Sequence, residues 1–373
     1  MSGRHYLDHA STSPLRPEAR EAMVAALGLV GDPGRIHEEG LTVRVAVEQA
    51  RDQVAATFGA RAREVVFTGS GTEAIVTAVR GASSQGAHQV VTAVEHSAVR
   101  LAAEAVGATT VVPVDGMGRV DPEAVVAAVR PDTSVVHVQA GNHEVGTRQP
   151  VGDVLAALAE AGREVLVHVD AAQANGHDPL SFADLGADLV SLSAHKFGGP
   201  PGVGALLVRR GLRLDPLLVG GDQERARRAG LENAPAVAGF AAACAVLDDT
   251  LAEEAAEARR LTDRVLAGAA ESDGLPVYGD AVDRLPHLVC LGIDGVEPQA
   301  VLLGLDAAGV AVHSGSACSS EALEPSPVLE AMGVDAHRSL RISVGWSSTD
   351  ADVDALLDAL PRVVGDLRRL GGG

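Results

Sequence analysis

Residues 191–202 read Ser191-Leu192-Ser193-Ala194-His195-Lys196-Phe197-Gly198-Gly199-Pro200-Pro201-Gly202. The apolar run that leads into them, Asp188-Leu189-Val190-Ser191, is strand-like, so the stretch is a Gly/Pro-rich turn at the end of a strand. An open α/β sheet gathers its ligands at such ends. The turn also holds Lys196, the single lysine among 30 basic residues. A coding bias towards Arg, Ala, Val and Gly explains why arginine stands wherever a generic positive charge serves. It does not explain a surviving lysine, whose amine can lose its proton and form a Schiff base, as arginine cannot. Ser193 and His195 can donate hydrogen bonds to a phosphate, and the glycines admit close backbone approach. A solvated lysine on an ordinary turn is the alternative, and the rest of the chain has to decide.

Outward from this turn, short β-branched runs alternate with Ala-rich helical stretches from residue 15 to about 250. The runs Glu64–Phe67, Val90–Ala93, Thr110–Pro113, Ser134–Val138, Val165–Val169 and Gly204–Val208 read as strands. Several are continuously apolar, as strands covered on both faces are. Val47, Ala50, Val54 and Phe58 share one helical face, and Asp121-Pro122-Glu123 is a helix start. The alternation predicts an α/β domain with a mostly parallel central sheet and helices on both faces. An Ala/Glu/Arg-rich helical stretch over 234–271 bridges to a smaller α+β domain. That domain has strands at Leu288–Ile293 and Leu340–Val344, a helix over 298–308 and a last helix from Thr349, which Pro361 should kink or break. The expected division is a large domain over 15–250 and a small one from 1–14 and 251–373, with the Gly371–Gly373 end disordered.

Three further constellations follow strands, and a fourth lies on one. Val167-His168-Val169-Asp170-Ala171-Ala172-Gln173 puts a carboxylate past an apolar run, with an amide three residues on; a helix-capping aspartate is the alternative. Phe67-Thr68-Gly69-Ser70-Gly71-Thr72-Glu73 offers hydroxyls and small residues at a helix start, a cradle for phosphate or a plain βα turn. Glu95-His96-Ser97 presents a histidine able to stack on a flat ring, or merely a structural one. In Leu340-Arg341-Ile342-Ser343-Val344 the apolar residues alternate and Arg341 points the other way, towards a substrate carboxylate or an internal ion pair. A fifth constellation, Val312-His313-Ser314-Gly315-Ser316-Ala317-Cys318-Ser319-Ser320, surrounds a cysteine with small residues. That suits a mobile loop presenting a thiol, reactive where a cation favours the thiolate; an inert loop cysteine is the alternative, and the stronger one for this segment taken alone.

The other two cysteines, Cys244 and Cys290, sit in apolar runs and read as buried hydrophobes. Three cysteines make no complete disulfide set, and no Cys/His spacing suggests a metal. The formal net charge of −20 repels nucleic acid and anionic membranes; the short cluster Arg225, Arg227 and Arg228 does not offset it. No apolar run approaches the roughly 18 residues of a membrane span, and no secretory signal is recognisable at the start, so a cytoplasmic protein is expected.

In this order the segments resemble the cysteine desulfurases, in the class V aminotransferase branch of fold-type I pyridoxal-phosphate (PLP) enzymes. The likeness also includes Tyr6-Leu7-Asp8-His9-Ala10-Ser11-Thr12, Gly31-Asp32-Pro33, Asn142-His143-Glu144-Val145-Gly146 and Arg228-Ala229-Gly230. It implies PLP bound covalently at Lys196, Asp170 on its pyridine nitrogen, Gln173 on its ring oxygen and His96 stacked on the ring. Gly71, Thr72, Ser193 and His195 would hold the phosphate, Arg341 the substrate carboxylate, and Cys318 would take sulfur from L-cysteine as a persulfide for an acceptor protein. A homodimer with composite sites is also implied.

Three departures stand out. His143 occupies a place where the family has an asparagine touching cofactor or substrate, and it can still donate a hydrogen bond. Leu231 replaces a threonine that reaches the neighbouring subunit's phosphate. Ala74-Ile75-Val76 replaces a more polar stretch. Lys196 and Asp170 would equally serve another PLP lyase or aminotransferase, such as a selenocysteine lyase, and a weakly active sulfur-transfer scaffold is a third reading. Only Cys318 points to sulfur.

Overall fold

The strands that the apolar runs form are, in chain order, β1 His5–Tyr6, β2 Val65–Thr68, β3 His88–Thr92, β4 Thr109–Val112, β5 Thr133–Gln139, β6 Leu166–Asp170, β7 Leu189–Ser193, β8 Gly204–Val208, β9 Val277–Tyr278, β10 Leu288–Gly292, β11 Val310–Ala311 and β12 Ser339–Ser343. The computed structural model describes residues 3–314 and 325–371. Cys318 lies outside the described residues, as do Gly372 and Gly373.

Seven strands make the central sheet, in the order β2-β8-β7-β6-β5-β3-β4. Pairing is parallel from β4 through β3, β5 and β6 to β7, and antiparallel on both sides of β8. The chain reverses at β8 because the β7–β8 connection, which carries Lys196, is too short for a helical crossover. Helices cover both faces, so every residue of β2, β7 and β8 is buried, although buried polar residues such as His137, Gln139, His168 and Ser191 interrupt the apolar runs of the middle strands. Val47, Ala50, Val54 and Phe58 enter this core together, as their spacing predicts. Asp121 caps its helix by accepting from the N–H of Glu123 at 3.1 Å, with Pro122 in the first turn.

A second core contains Leu7, Leu261, Val265, Val289, Leu291, Leu340, Ile342, Leu356 and Leu360. Its sheet, β12-β10-β9, is antiparallel, and β1 pairs with β11 in a separate two-stranded unit. This pairing ties the start of the chain to the C-terminal third. The helix Ala234–Ala270 serves both cores, with Phe240 and Leu247 in the first and Leu261 and Val265 in the second.

Three expectations need correction. The helix Ala234–Ala270 is long and apolar enough, by length and composition, to cross a membrane; half of its apolar window is buried within the protein. Alanine raises the hydropathy of that window without forming a long bulky run. The last helix, Asp350–Gly371, continues through Pro361. Val353, Leu356, Leu360 and Val364 are all buried in the second core, and this packing offsets the hydrogen bond that proline removes. Gly371, expected in a disordered tail, closes that helix.

Candidate active site

The C-terminal ends of the parallel strands meet at one cavity of about 370 Å³. Its walls include Gly71, Thr72, His96, His143, Asp170, Gln173, Ser193, His195, Lys196 and Arg341. Every described site residue singled out from the sequence is therefore in one place. His313 also lines the cavity; it is the last histidine before the segment with Cys318, which lies outside the described residues.

The Lys196 amine donates to the backbone carbonyls of Ala10 at 2.6 Å and Ser11 at 3.0 Å. Burial, helped by the Arg341 guanidinium, lowers its pKa to about 8, against the opposing pull of Asp8 and Asp170. A lysine in this state supplies free amine near neutral pH, which a solvated one does not.

Asp170 ends β6. One carboxylate oxygen accepts from the N–H of Ala172 at 3.0 Å, and burial raises its pKa while His96 and Lys196 oppose the rise. A buried carboxylate of this kind favours a cationic partner. Gln173 lies beyond it, and its side-chain amide meets the His287 ring Nε2 at 2.9 Å. His96 caps the helix Ser97–Val106 through Nδ1, which accepts from the N–H of Ala98 at 3.1 Å. It is thus both structural and at the cavity wall, 5.1 Å from the His143 ring in an edge-on arrangement. Burial holds the His96 and His143 pKa values down, so both rings are neutral.

The helix Gly71–Gly81 starts at the cavity. Ser70 caps it by accepting from the N–H of Glu73 at 3.0 Å, which leaves the first-turn N–H groups of Gly71 and Thr72 without intrahelical acceptors. A Cβ on Gly71 would lie 2.9 Å from that of Ser193, so only glycine keeps this end open. Asn175 fixes Ser193 from behind: its amide donates to the Ser193 carbonyl at 3.1 Å, and its oxygen accepts from the Ser193 N–H at 2.7 Å. His195 Nδ1 lies 3.1 Å from the Thr12 hydroxyl.

Arg341, on β12, makes an internal ion pair with Asp8 and also lines the cavity. Its guanidinium donates to Asp8 at 3.1 Å, to the Ser11 hydroxyl at 2.8 Å and to the His143 carbonyl at 2.8 Å. Its buried Nε has no partner among the described residues, nor has His143 Nδ1. Of the departures from the family pattern, Ile75 reaches the cavity wall, whereas Leu231 is 60% exposed and lies beside Arg228 and Gly69 in a separate depression. Arg225 and Arg228 are ion-paired with Glu48 and Glu73, and Arg227 donates to the Arg63 carbonyl, so two of the three charges in this basic cluster are balanced within the chain.

Some contributors lie in segments already singled out from the sequence, but the contacts they make left no local signal. Ala10 and Ser11 reach Lys196 from 186 and 185 residues away along the chain. Glu95, next to His96, is fully buried; it accepts from Thr92 Oγ1 and from the N–H of Gln139, both at 2.8 Å, and its other oxygen has no partner among the described residues. Burial first, then nearby Asp170, raise its pKa to about 8.

These groups suit PLP: a phosphate-sized helix start that a Cβ would fill, a buried carboxylate, an amine of lowered pKa and an underused guanidinium. Among the described residues, no group of three or more His, Cys, Asp or Glu side chains is placed to hold a metal ion.

Residues 5–356 match the family model of the class-V aminotransferases. The chain is 39% identical to cysteine desulfurase IscS of Dictyoglomus turgidum, over 99% of this chain and 97% of that one. It is 41% identical to an IscS-like cysteine desulfurase of Mycobacterium tuberculosis, over 98% and 97%. A solved NifS-like protein superposes with a TM-score of 0.91 at 31% identity, covering 98% of this chain and all of the other. Fold, cavity and relatives agree: the chain belongs to the cysteine desulfurases of the class-V aminotransferase family.

Proposed function

We propose that this chain converts L-cysteine to L-alanine with PLP at Lys196, and that Cys318 takes the sulfur and passes it to an acceptor protein. The observation that carries the reading is the placement of the chain's one lysine amine, with its pKa lowered to about 8, in the same cavity as Asp170 and Arg341. PLP, when bound, supplies an electron sink that stabilises negative charge next to the substrate α-carbon.

The chain's own residues do the rest. Arg341 orients the substrate carboxylate with its unspent N–H capacity. Lys196 would hold the cofactor covalently and, as a free amine, would move the proton at the substrate α-carbon. Asp170 keeps the pyridine nitrogen protonated, while Gly71, Thr72, Ser193 and His195 hold the phosphate. His143 stands over the site as a neutral ring with one nitrogen uncommitted. The Cys318 thiolate attacks the substrate Sγ. The Cβ–Sγ bond breaks, its electron pair stays on the carbon skeleton, and protons complete alanine. Neither product needs an external oxidant.

The active unit in this reading is a homodimer. Exposed apolar residues such as Leu27, Val30, Ile36, Val219 and Leu231 support a covered face, and the segment around Arg228 would reach the neighbour's site.

Cys318→Ser tests the assignment. The variant should keep the visible band of bound PLP and its response to added cysteine, yet lose persulfide and nearly all alanine. Normal desulfuration by this variant would overturn the reading in favour of a general PLP lyase.

A further inference from the structure

His287 stands immediately before β10, on the far side of Gln173 from the cavity. Its Nε2 lies 2.9 Å from the Gln173 side-chain amide, and its Nδ1 is buried with no partner among the described residues. Its ring stacks on that of His177, with centroids 3.6 Å apart and planes 12° from parallel. The His177 Nε2 lies 3.0 Å from the Lys196 carbonyl, so it must carry a proton and donate. Burial, and then the facing His177, keep the His287 pKa well below its ordinary value, so the ring carries one proton only.

That proton has two places to sit. On Nδ1 it would be an orphaned N–H in the core, the rarest kind of unsatisfied group. On Nε2 it has a partner at hydrogen-bond distance, and Nδ1 is left as a bare lone pair. The second arrangement costs less. It requires the Gln173 atom facing His287 to be the acceptor Oε1. A half-turn about the last side-chain torsion exchanges Oε1 and Nε2 without moving the amide, so the requirement is met with no repacking. Gln173 has no other side-chain hydrogen bond among the described residues and lines the cavity. Its NH2 group then faces the cavity as a donor.

We propose that His287 is a positioning residue: by donating from Nε2 to Gln173 Oε1, it turns the Gln173 amide so that its NH2 group is presented to the ring oxygen of the cofactor. The last clause rests on the PLP reading above; the tautomer and the amide orientation do not. The two stacked imidazoles thereby act alike, each donating through Nε2, one to the backbone of the lysine and the other to the amide across from it. The opposite orientation would present a carbonyl oxygen to an electron-rich ring oxygen and repel it.

Two measurements test this. In the apo protein labelled with 15N-histidine, two-bond 1H–15N correlations read which ring nitrogen of His287 is protonated. The expected result is the Nε2–H form, and an Nδ1–H form overturns the proposal whether or not PLP ever binds. In the holoenzyme, His287→Phe keeps a ring for the stack and removes the donor. PLP affinity should fall about tenfold, within the range of one or two hydrogen bonds, and the visible band should titrate at higher pH, because the ring oxygen has lost its donor. Rescue of the band by His287→Gln, which restores an N–H, is expected. An unchanged band and affinity in a folded His287→Phe protein would overturn the role assigned to it. If the variant does not fold, the tautomer measurement on the unmodified chain decides. If the unmodified chain binds no PLP, the PLP reading fails separately.

Discussion

Arg51 and Glu224 face each other in a bidentate pair, with both N–O distances at 2.7 Å and both side chains buried. The same carboxylate accepts from the N–H of Phe67 at 2.9 Å, so it pins β2 as well. Glu224, Arg225 and Ala226 all have φ between 48° and 61°, a left-handed run without a glycine. Such backbone is costly for residues with a Cβ and persists only where contacts hold it. The Arg51–Glu224 pair is that contact, and it aims the Arg228–Leu231 segment. Glu224→Ala leaves buried Arg51 with only the half-exposed Glu48, 3.0 Å away, as a counter-charge and should cost up to about 3–5 kcal/mol in denaturant unfolding. A loss under about 1 kcal/mol would mean the turn is held elsewhere.

Lys196→Ala should abolish the visible band and alanine release. In the unaltered apo chain, the rate of PLP capture should rise with pH, because the free amine is the nucleophile. With a pKa of about 8, the rise should level off above that value; well below it the slope should approach roughly tenfold per pH unit. Capture that keeps accelerating towards pH 10.5, the ordinary lysine value, would show that burial does not tune this amine.

Leu231→Thr restores a hydroxyl beside Arg228. In a dimer with composite sites it should tighten PLP binding by about 0.5–1.5 kcal/mol, read from PLP release on dilution. A fully active monomer would refute the shared site.

Cys244→Ala and Cys290→Ala should retain turnover. Both thiols are fully buried, and burial pushes their pKa values well up, away from the reactive thiolate. Each change should cost about 1 kcal/mol of stability as a small packing defect. Loss of persulfide in either variant would redirect attention from Cys318.

Stability should fall in mild acid. Burial lowers the pKa of His9, His177 and His195 to about 4 and of His168 to about 3, against 6.5 in the unfolded chain. Between those values the unfolded chain binds more protons, so stability present above pH 6.5 is lost as pH falls towards 4. Glu95 and Glu144 act in the opposite sense. Their pKa values are raised from 4.5 to about 8 and about 7, so their contribution is full below 4.5 and fades as pH rises through those values. The histidines are more numerous, and the melting temperature should drop from pH 6.5 to 4. A flat profile there would mean the buried rings are already charged or exposed.

Much of the site was legible because each motif lies directly after a strand, and parallel strand ends converge. Lys196, Asp170, Gln173 and Gly71 were found this way. Arg341 was found by alternation, but its division between Asp8, Ser11 and His143 depends on pairings between distant segments, which leave no local pattern. The same holds for His287 behind Gln173 and Asn175 behind Ser193. Pro361 gave a correct local signal that tertiary packing overrode. The left-handed turn at 224–226 gave none, because its conformation is imposed by a buried ion pair and not by glycine.

The solitary lysine turns the protein into its own occupancy gauge. After borohydride reduction and denaturation, a lysine-specific protease has one bond to cut, between Lys196 and Phe197, giving fragments 1–196 and 197–373. A modified lysine is not a substrate for that cut. The proportion of chain left whole on a gel therefore counts, molecule by molecule, how many active sites were loaded, with no assay of turnover and no extinction coefficient.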